Sequence, residues 1–447
     1  MTLSIRYCLG PMVLSMVILI SSTAFGADLP ALEDKISQAP QLSDLVSYAQ
    51  IKNPSLAAHR ALWQAAIQAQ RLGTAYPDPK LTTTFFPQPI ETRLGPQDFN
   101  ITLGQPIPFP GLLNKKRAVL ASNATLARLK GDQELKSIIG QIALAYYELA
   151  YIHRAMELTR ENLKLNRQME MILKEAYGRD QSLFHQMSKT SIRISRLENQ
   201  IHGLKERETT EKNRLNGLLN RPPMAPIGPL PPVATRPLPP PLPYTLDQLQ
   251  TLGITQGETI RMAREKIKGA RARVEMARYE NKPALNLGLF YAAIGKPDTA
   301  THPRDAGTDA LGIQLGISMP LWSGKQKSRK SRFLQKKIQA QREGRDLENR
   351  IKTRITRLWF DLNQSRRNFN LQKDKILPQS RRALETAHIL FRQGKGGLSD
   401  LLDLQTAVHD DLLAMARARI DHAKARALLD EQAGPIWGPS SPIMEPR

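Results

Sequence analysis

The feature that most constrains the fold is a duplication, because the 447-residue chain contains the same structural unit twice. In each unit a helical segment ends at a proline turn, at 77–79 in the first unit and at Pro283 in the second. Two strand-like segments and a proline–glycine corner follow, and the corner leads into nearly seventy helix-compatible residues, at 111–178 and at 324–394. This repeat predicts two matching halves, each built from two strands and one long helical hairpin.

We divide the chain into five segments on this basis. An apolar run at 12–20 follows the single charge of Arg6 and precedes small residues up to Gly26, which is the pattern of a secretory signal peptide. The only cysteine, Cys8, lies within it, so we expect no disulfide and no lipidated cysteine in the mature chain. The segments are the signal peptide at 1–26, a first repeat at 27–220, a proline-rich linker at 221–243, a second repeat at 244–433 and a flexible tail at 434–447. The linker is interpreted either as an extended segment wrapping a folded surface or as a disordered tether.

The chain is strongly basic, with 64 lysines and arginines against 41 acids and a net charge of +23. In a cytosolic protein this excess would suggest nucleic acid, but export and the lack of a nucleic-acid-binding motif favour anionic lipid headgroups as the counter-charge. The eight histidines are scattered without metal-ligand spacing, and no phosphate-binding glycine loop or nucleophile motif occurs. We therefore expect no enzymatic activity, no cofactor, no metal site and no nucleic-acid partner.

Four segments alternate apolar and polar residues with the two-residue period of a strand, at about 81–90, 97–107, 284–294 and 309–321. A soluble sheet packed on a core produces the same alternation, but the sequence contains no second sheet that could cover these strands. Strands of this length with one apolar face are typical of a transmembrane barrel. Four strands cannot close a barrel, and an open edge in lipid leaves backbone groups unpaired at several kcal/mol each. The chain is therefore expected to pool its strands with other copies, and three copies would supply twelve.

The long helical segments have the apolar spacing of antiparallel coiled coils. At 1.5 Å per residue each would reach roughly 100 Å, with return helices at about 183–220 and 400–433. The one proline inside them, Pro378, is expected to kink its helix or to open a gap in the hydrogen-bond ladder. The recurring seam residues are Ile138, Ile142, Ala145, Leu149, Ile152 and Met156; Ile194, Leu197, Ile201 and Leu204; and Ile351, Ile355, Leu358, Leu362, Ser365 and Phe369.

Two motifs resemble a known family most specifically. They are the corner at 105–111, Gln-Pro-Ile-Pro-Phe-Pro-Gly, and the segment at 394–405. Together with the repeat and the signal peptide, they resemble the TolC-type outer membrane efflux proteins over nearly the whole mature chain, and the heavy-metal efflux branch is the most similar. The resemblance implies an α+β membrane protein in which four transmembrane strands per chain complete a twelve-stranded trimeric barrel above a periplasmic tunnel of helical hairpins. It also implies three kinds of partner: two further copies of the chain, a periplasmic adaptor and an inner-membrane efflux transporter.

The resemblance further implies a gate at the periplasmic entrance. Asp400 and Asp403 match the paired aspartates of the family, and threefold symmetry would arrange them in acidic rings that attract cations and repel one another. The alternative is a solvated acidic pair near a helix start, where the helix dipole favours acids. The first repeat has no acid at the matching position, so only the second hairpin is expected to form the constriction. The residues that shape the hairpin tips, and that match the family's adaptor-docking surface, are Gly178, Ser182, Gly394 and Ser399.

Two basic clusters follow the corners and are candidates for anchoring to outer-membrane lipid headgroups, with a solvated helical surface as the alternative. They are Lys115, Lys116 and Arg117, and Lys325, Lys327, Arg329, Lys330 and Arg332. The sequence as a whole predicts a passive outer-membrane conduit that extends into the periplasm and conducts metal cations, drugs or other small molecules. The alternatives are a periplasmic adaptor with a helical hairpin and a structural periplasmic coiled coil, which would be recovered without detergent.

Overall fold

Two strand–strand–hairpin units lie side by side in a computed structural model, which describes residues 29–177, 184–298 and 304–434. The predicted signal peptide, the tail after Gly434 and the first hairpin tip with Gly178 and Ser182 lie outside these residues. Within the described ranges, no helix has both the length and the apolar character needed to cross a membrane.

The elements follow the predicted order in both halves. The first half contains α1 (Leu29–Gln38), α2 (Leu42–Lys52), α3 (Pro54–Gly73), β1 (Lys80–Thr92), β2 (Gly95–Ile107), α4 (Leu112–Tyr177) and α5 (Phe184–Leu219). The second half contains α6 (Leu246–Gln256), α7 (Glu258–Tyr279), β3 (Ala284–Ile294), β4 (Ala310–Ser318), α8 (Ser323–Leu371), a π-helical turn (Gln372–Ile376), α9 (Leu377–Arg392) and α10 (Leu398–Ala433).

The four strands form one antiparallel sheet in the order β1-β2-β3-β4. Their bounds lie within three residues of those predicted, because the alternation of apolar side chains marks each strand. The last strand ends at Ser318 rather than at 321, ahead of Pro320, whose missing N–H cannot extend a ladder. Pairing between β1 and β2 shifts register between Phe85 and Ile90, where Pro87 and Pro89 remove two donors.

The long helices pack along the predicted seams. All sixteen seam residues are buried. Nearest the sheet, α3, α4, α7 and α8 lie side by side in that order. Farther from the sheet, α5, α4, α10 and α8 are neighbours in turn, and α9 packs on α10. The wall nearest the sheet is therefore one helix thick, with α3 at one edge and α8 at the other.

The proline-rich linker wraps this wall rather than hanging free of it. Its residues Ile227 and Val233 are buried in a core shared with α1, α2, α4 and α10. The Gly228 N–H donates to the carbonyl of Ile36 at 3.0 Å, and the Arg221 guanidinium lies 2.6 Å from a carboxylate oxygen of Glu33. In the structure the linker is an extended segment that packs on the helices.

Pro378 disturbs its helix as predicted. Lacking an N–H, it cannot donate to a carbonyl four residues back, and the ladder widens immediately before it into the π-helical turn. There the Leu377 N–H donates to Gln372, five residues earlier. The second long helical stretch is therefore irregular at 372–378, whereas α4 is α-helical over all of its 66 residues.

Candidate channel entrance and membrane face

The start of α10 is fastened to α5 by ion pairs that join the two hairpins. The Asp403 carboxylate lies 3.2 Å from the Lys189 ammonium and 3.2 Å from the Arg193 guanidinium. The Lys189 ammonium also donates to the Ser399 hydroxyl at 2.9 Å, and the Arg193 guanidinium also donates to the Leu402 carbonyl at 2.6 Å. We call Lys189, Arg193, Ser399 and Asp403 the entrance latch. Four contacts from two side chains hold the first turns of α10 against the first hairpin.

Protonation of Asp403 would weaken the latch. Partial burial pushes its pKa upward, but the hydrogen bonds and charges of Lys189 and Arg193 outweigh this and hold the pKa of Asp403 below its usual value. A carboxyl with a lowered pKa contributes its stabilisation above the unfolded-state value, near 3.9, and loses it as pH falls through the folded-state value. The latch is therefore expected to persist through the neutral and mildly acidic range.

Asp400 sits in a different environment from Asp403. Its side chain is exposed in the first turn of α10, and within the part of the chain that the structure describes it has no ion-pair or hydrogen-bond partner. The Asp400 carboxylate lies close to Gly397, where an added Cβ would be 3.3 Å from one of its oxygens. The two predicted gate residues therefore have different environments within one chain, because only Asp403 forms ion pairs with the first hairpin.

The second hairpin tip is shaped by glycine and by an apolar cluster. Gly394 ends α9 with a φ of +70°, a conformation that favours glycine, and its N–H donates to the carbonyl of Phe391 at 3.0 Å. Behind the tip, Leu398, Leu401 and Leu402 are buried against Leu173 of α4. Gly394 is exposed, whereas the Ser399 hydroxyl is already engaged in the latch. Of the two predicted docking residues at this tip, Gly394 is exposed and Ser399 is half-buried.

Sequence reasoning missed Lys189 and Arg193, the two cations of the latch. They lie four residues apart on α5, so they share one helix face. That spacing was a usable signal, since it places a basic pair just after the first tip, where the second repeat carries acids. Their partner is more than two hundred residues away in sequence, however, and only the packing of α5 beside α10 reveals it.

One face of the sheet presents apolar side chains outward. The pairing register aligns four of them in a row across all four strands. Their exposed fractions are high for such side chains, at 68% for Leu81, 45% for Leu103, 54% for Leu289 and 79% for Ile313. A row of this kind is a surface for an apolar medium or partner. Within the described chain β1 and β4 each have one unpaired edge.

The basic clusters behind the corners are only partly free. Lys115 lies over the Tyr279 ring, 5.3 Å from its centroid. Arg329 lies 3.7 Å from a Glu280 carboxylate oxygen and 3.3 Å from the Asn281 side-chain oxygen. The other members are exposed on the surfaces of α4 and α8. Those on α8 are distributed around the whole helix, so they cannot all face one lipid surface.

Among the residues that the structure describes, no three His, Asp or Glu side chains come together in a way that could hold a metal ion. The site consists of ion pairs, a glycine turn and an apolar sheet face.

Comparison with known proteins identifies a family and several solved structures that this chain resembles. Residues 255–434 match the sequence model of the outer membrane efflux protein family. No curated protein matches the chain. Among solved structures, the outer membrane protein VceC of Vibrio cholerae is similar at 18% identity, covering 88% of this chain and 96% of VceC with a TM-score of 0.70. The CmeC outer membrane channel of Campylobacter jejuni is similar at 13% identity, covering 90% and 87% with a TM-score of 0.74.

The resemblance to the outer membrane efflux proteins is confirmed. The fold of these channels extends over both halves of the chain, although the family match itself falls on the second half. The open state of the MtrE outer membrane channel of Neisseria gonorrhoeae has the same fold at 17% identity, covering 88% of this chain and 89% of MtrE with a TM-score of 0.68. The family whose model matches residues 255–434 and the similar solved structures are outer membrane channels that extend into the periplasm. The matched family consists of channels rather than enzymes.

Proposed function

We propose that the protein is the outer-membrane channel of a three-part efflux system. It passively conducts small molecules, delivered by an inner-membrane transporter through a periplasmic adaptor, to the cell exterior. The observation that carries this proposal is the exposed apolar row Leu81, Leu103, Leu289 and Ile313 on a sheet with two unpaired edges. A periplasmic adaptor or a structural coiled coil would have no use for an apolar sheet face directed outward.

Closure requires further copies of the chain. The smallest transmembrane barrels have about eight strands, so four are too few. Neighbouring strands alternate in direction, so β4 of one copy can pair antiparallel with β1 of the next. The helices repeat this order, because α3 and α8 are the edges of the wall beneath β1 and β4. One rotation therefore closes sheet and wall together, and three copies give twelve strands above twelve helices.

The entrance latch supports a gated conduit. Asp400 and Asp403 would form two acidic rings at the mouth in a trimer, and the Asp403 ring is held against the first hairpin by Lys189 and Arg193. Opening requires α10 to leave α5, which breaks these ion pairs. We therefore assign the resting state to the latched arrangement. The tips around Gly178, Ser182, Gly394 and Ser399 are the surface on which an adaptor would act.

Cross-linking across the proposed subunit boundary tests the assembly. Single cysteines are placed on the edge strands, Leu81→Cys on β1 and Ile313→Cys on β4, with Cys8 as the only native cysteine. Oxidation of outer membranes that contain the double variant is expected to give covalent dimers and trimers, because β1 and β4 of different copies are adjacent.

Two controls make the result decisive. A double variant with cysteines at Leu103 and Leu289 joins β2 to β3 within one chain, so it is expected to remain a covalent monomer. Neighbouring pairs such as Thr83 with Ile313 scan the unknown register. Recovery of all edge pairs as monomers, from protein extracted without detergent, would rule out the channel and leave the structural coiled coil.

We also propose that the basic clusters anchor the protein to anionic lipid headgroups. The members that are exposed and unpaired, such as Lys116, Arg117 and Lys330, are the ones able to reach headgroups. Their combined reversal to glutamate is expected to reduce assembly into membranes rich in anionic phospholipid. A matched reversal of Lys164, Arg196 and Lys205, farther from the sheet, controls for net charge. Equal assembly of both variants would remove the proposal.

A further inference from the structure

The wall just below the sheet, which we call the neck, carries almost all of its charge with one sign. It comprises residues 112–131 of α4, 266–279 of α7 and 323–342 of α8, which directly follow or precede the strands. These segments contain eighteen lysines and arginines and a single acid, Glu275. By contrast, α10 at the opposite end of the wall contains seven acids and four basic residues. The neck is therefore strongly basic, whereas α10, which carries the entrance aspartates, has an excess of acids.

The packing of α6 shows which side of the neck faces the interior. α6 lies against the side of α8 that carries Ile351, Ile355 and Thr356, and Gln250 donates to the Thr356 hydroxyl at 2.9 Å. Arg264 of α7 likewise donates to the carbonyls of Ile254 and Thr255 at the end of α6, at 2.7 and 3.0 Å. The linker lies on the same side, where Arg366 of α8 donates to the carbonyls of Pro239 and Pro240 at 2.8 and 3.0 Å. The opposite side of the one-helix wall is therefore the inner surface.

Residue composition identifies the same inner face. At 100° per residue, the side of α8 roughly opposite to α6 is exposed and wholly polar. It consists of Lys325, Arg332, Gln339, Glu343, Asp346, Arg350, Arg357, Asp361, Gln364 and Asn368. Exposed apolar residues such as Leu334, Ile338 and Phe360 lie between the side that carries Ile355 and the polar stripe, where they suit contact with the next copy. A polar stripe between two packed faces is what a water-filled lumen requires.

The acids on this stripe are already neutralised. Glu343 lies 3.2 Å from Lys266, and Asp346 lies 2.8 Å from Arg350. Asp361 lies 3.8 Å from Arg357. In the neck itself Lys325 and Arg332 have no acid beside them on the stripe. On α7, Arg273 projects about 180° from Arg264, which also directs it to the interior.

We propose that the neck is an anion-attracting section of the lumen, and that the cargo class is small anionic molecules rather than free metal cations. This inference rests on the proposed channel. Rings of Lys and Arg select anions in pores, and low-dielectric walls focus their field across the lumen. Lys336 is exposed and lies about 40° from Arg332 on the same side of α8. With three copies, Lys325, Arg332, Lys336 and Arg273 would therefore supply twelve cations to a section about 30 Å long. A cation that passed the acidic entrance would still face this section, whereas an anion released past the open latch is drawn outward.

Ion selectivity in planar bilayers tests the neck directly. The acidic entrance would add its own preference, so the full-length protein carries Asp400→Asn and Asp403→Asn in every arm. The probe is potassium chloride at a concentration gradient, and the measured quantity is the ratio of chloride to potassium permeability from the reversal potential. We expect a ratio above one for this gate-neutral protein. In the lumen variant, glutamine replaces Lys325, Arg332, Lys336 and Arg273. We expect this variant to have a permeability ratio about threefold lower.

A matched variant controls for net charge. In this variant glutamine replaces Lys337, Lys268, Arg271 and Arg278, which removes four neck charges from the side on which α6 packs. Its ratio is expected to stay within about a fifth of the gate-neutral value, since exposed charges behind the wall are screened. A potassium-preferring gate-neutral pore would overturn the proposal and leave the channel intact, and so would equal shifts in both quadruple variants. Failure of every variant and of the wild type to form a pore would instead overturn the channel itself.

Discussion

The two long hairpins have the same origin in the repeat but different mechanical character. The first contains α4, an uninterrupted helix of 66 residues, and contributes the cations of the entrance latch. The second is interrupted by a π-helical turn ahead of Pro378 and carries both aspartates. The difference teaches that the duplicated unit has divided its work, with the first hairpin as a fixed support and the second as the part able to bend.

A buried ion cluster strengthens this view of the first hairpin. Glu148, on α4, is 8% exposed, and its carboxylate is contacted by Arg207 of α5 and by Arg417 and Lys424 of α10. Burial raises the pKa of Glu148, but the hydrogen bonds and charges of Lys424 and Arg417 outweigh it and lower the pKa overall. The carboxyl-terminal half of α10, which carries Arg417 and Lys424, is thereby fixed to the first hairpin. Bending is therefore confined to the amino-terminal half of α10, near the tip, and to α9.

Acidification should weaken the second hairpin most. His422 of α10 is 1% exposed among Arg366, Arg419 and Arg426, and burial with these charges lowers its pKa to about 3. Because the unfolded-state pKa is near 6.5, stabilisation present above that pH is lost as pH falls, by about 3 kcal/mol at pH 4. Hydrogen exchange of detergent-solubilised protein is expected to accelerate in α10 before α5. His153 of the first hairpin also has a pKa lowered by burial, but it keeps Glu208 as a partner at 3.1 Å. Simultaneous loss of protection in both hairpins would contradict the comparison.

Removing the charge of Glu148 should loosen the support. Glu148→Gln leaves Arg417 and Lys424 without their shared carboxylate, and we expect a loss of about 2 kcal/mol per chain, because breaking a buried pair is costly even where the cations are partly exposed. The measurement is thermal unfolding of the assembled protein. Glu157→Gln, which removes an exposed acid on the same helix, is the control and should change the midpoint little. Equal midpoints for the two variants would show that the cluster does not fasten α10.

Breaking the latch from either side should open the entrance. Asp403→Ala removes two ion pairs per chain, worth about 1 kcal/mol together at such exposure, so the open probability in planar bilayers is expected to rise about fivefold. The double variant Lys189→Ala with Arg193→Ala should have the same effect. Combining all three substitutions should add nothing further, since both sides of one contact are removed. Additive effects would mean that the two hairpins act on the gate independently.

Restoring a regular helix at the joint should oppose opening. Pro378→Ala supplies an N–H that allows α8 and α9 to continue as one α-helix, which stiffens the second hairpin. In the Asp403→Ala background we expect the open probability to fall about twofold. Gln379→Ala, at the next position, is the control. An unchanged open probability would argue that the π-helical turn plays no part in the motion.

Substitution of Asp400 should have the smallest effect on the latch. Asp400 forms no ion pair or hydrogen bond with the first hairpin within the described residues, so Asp400→Ala alone is expected to leave the open probability within about a fifth of the wild-type value. Its effect should instead appear in the affinity of the entrance for blocking divalent cations. An increase in open probability equal to that of Asp403→Ala would show that both residues are latch members.

Much of the fold followed from periodicity. Leu311, Ile313 and Leu315 marked β4 because apolar side chains must alternate along a strand, and Ile351, Ile355 and Leu358 marked α8 because they share one helix face. Pro378 predicted a gap in the ladder, although the widened turn that accommodates it required the backbone itself.

The site was less accessible from sequence. Asp400 and Asp403 were found through family resemblance, and Gly394 through its preference for a positive φ. Their unequal environments depend on the packing of α5 beside α10, a contact between distant parts of the chain that no local pattern encodes. The inner face of α8 was hidden for the same reason, since only the position of α6 distinguishes it.

The unpaired edges of β1 and β4 have a genetic consequence. A subunit that folds but whose β4 edge is damaged can still offer its β1 edge to a normal neighbour, and it then prevents the ring from closing. Expressed beside the wild-type copy, such an allele would spoil most assemblies in which it takes part, and its phenotype would be dominant rather than recessive.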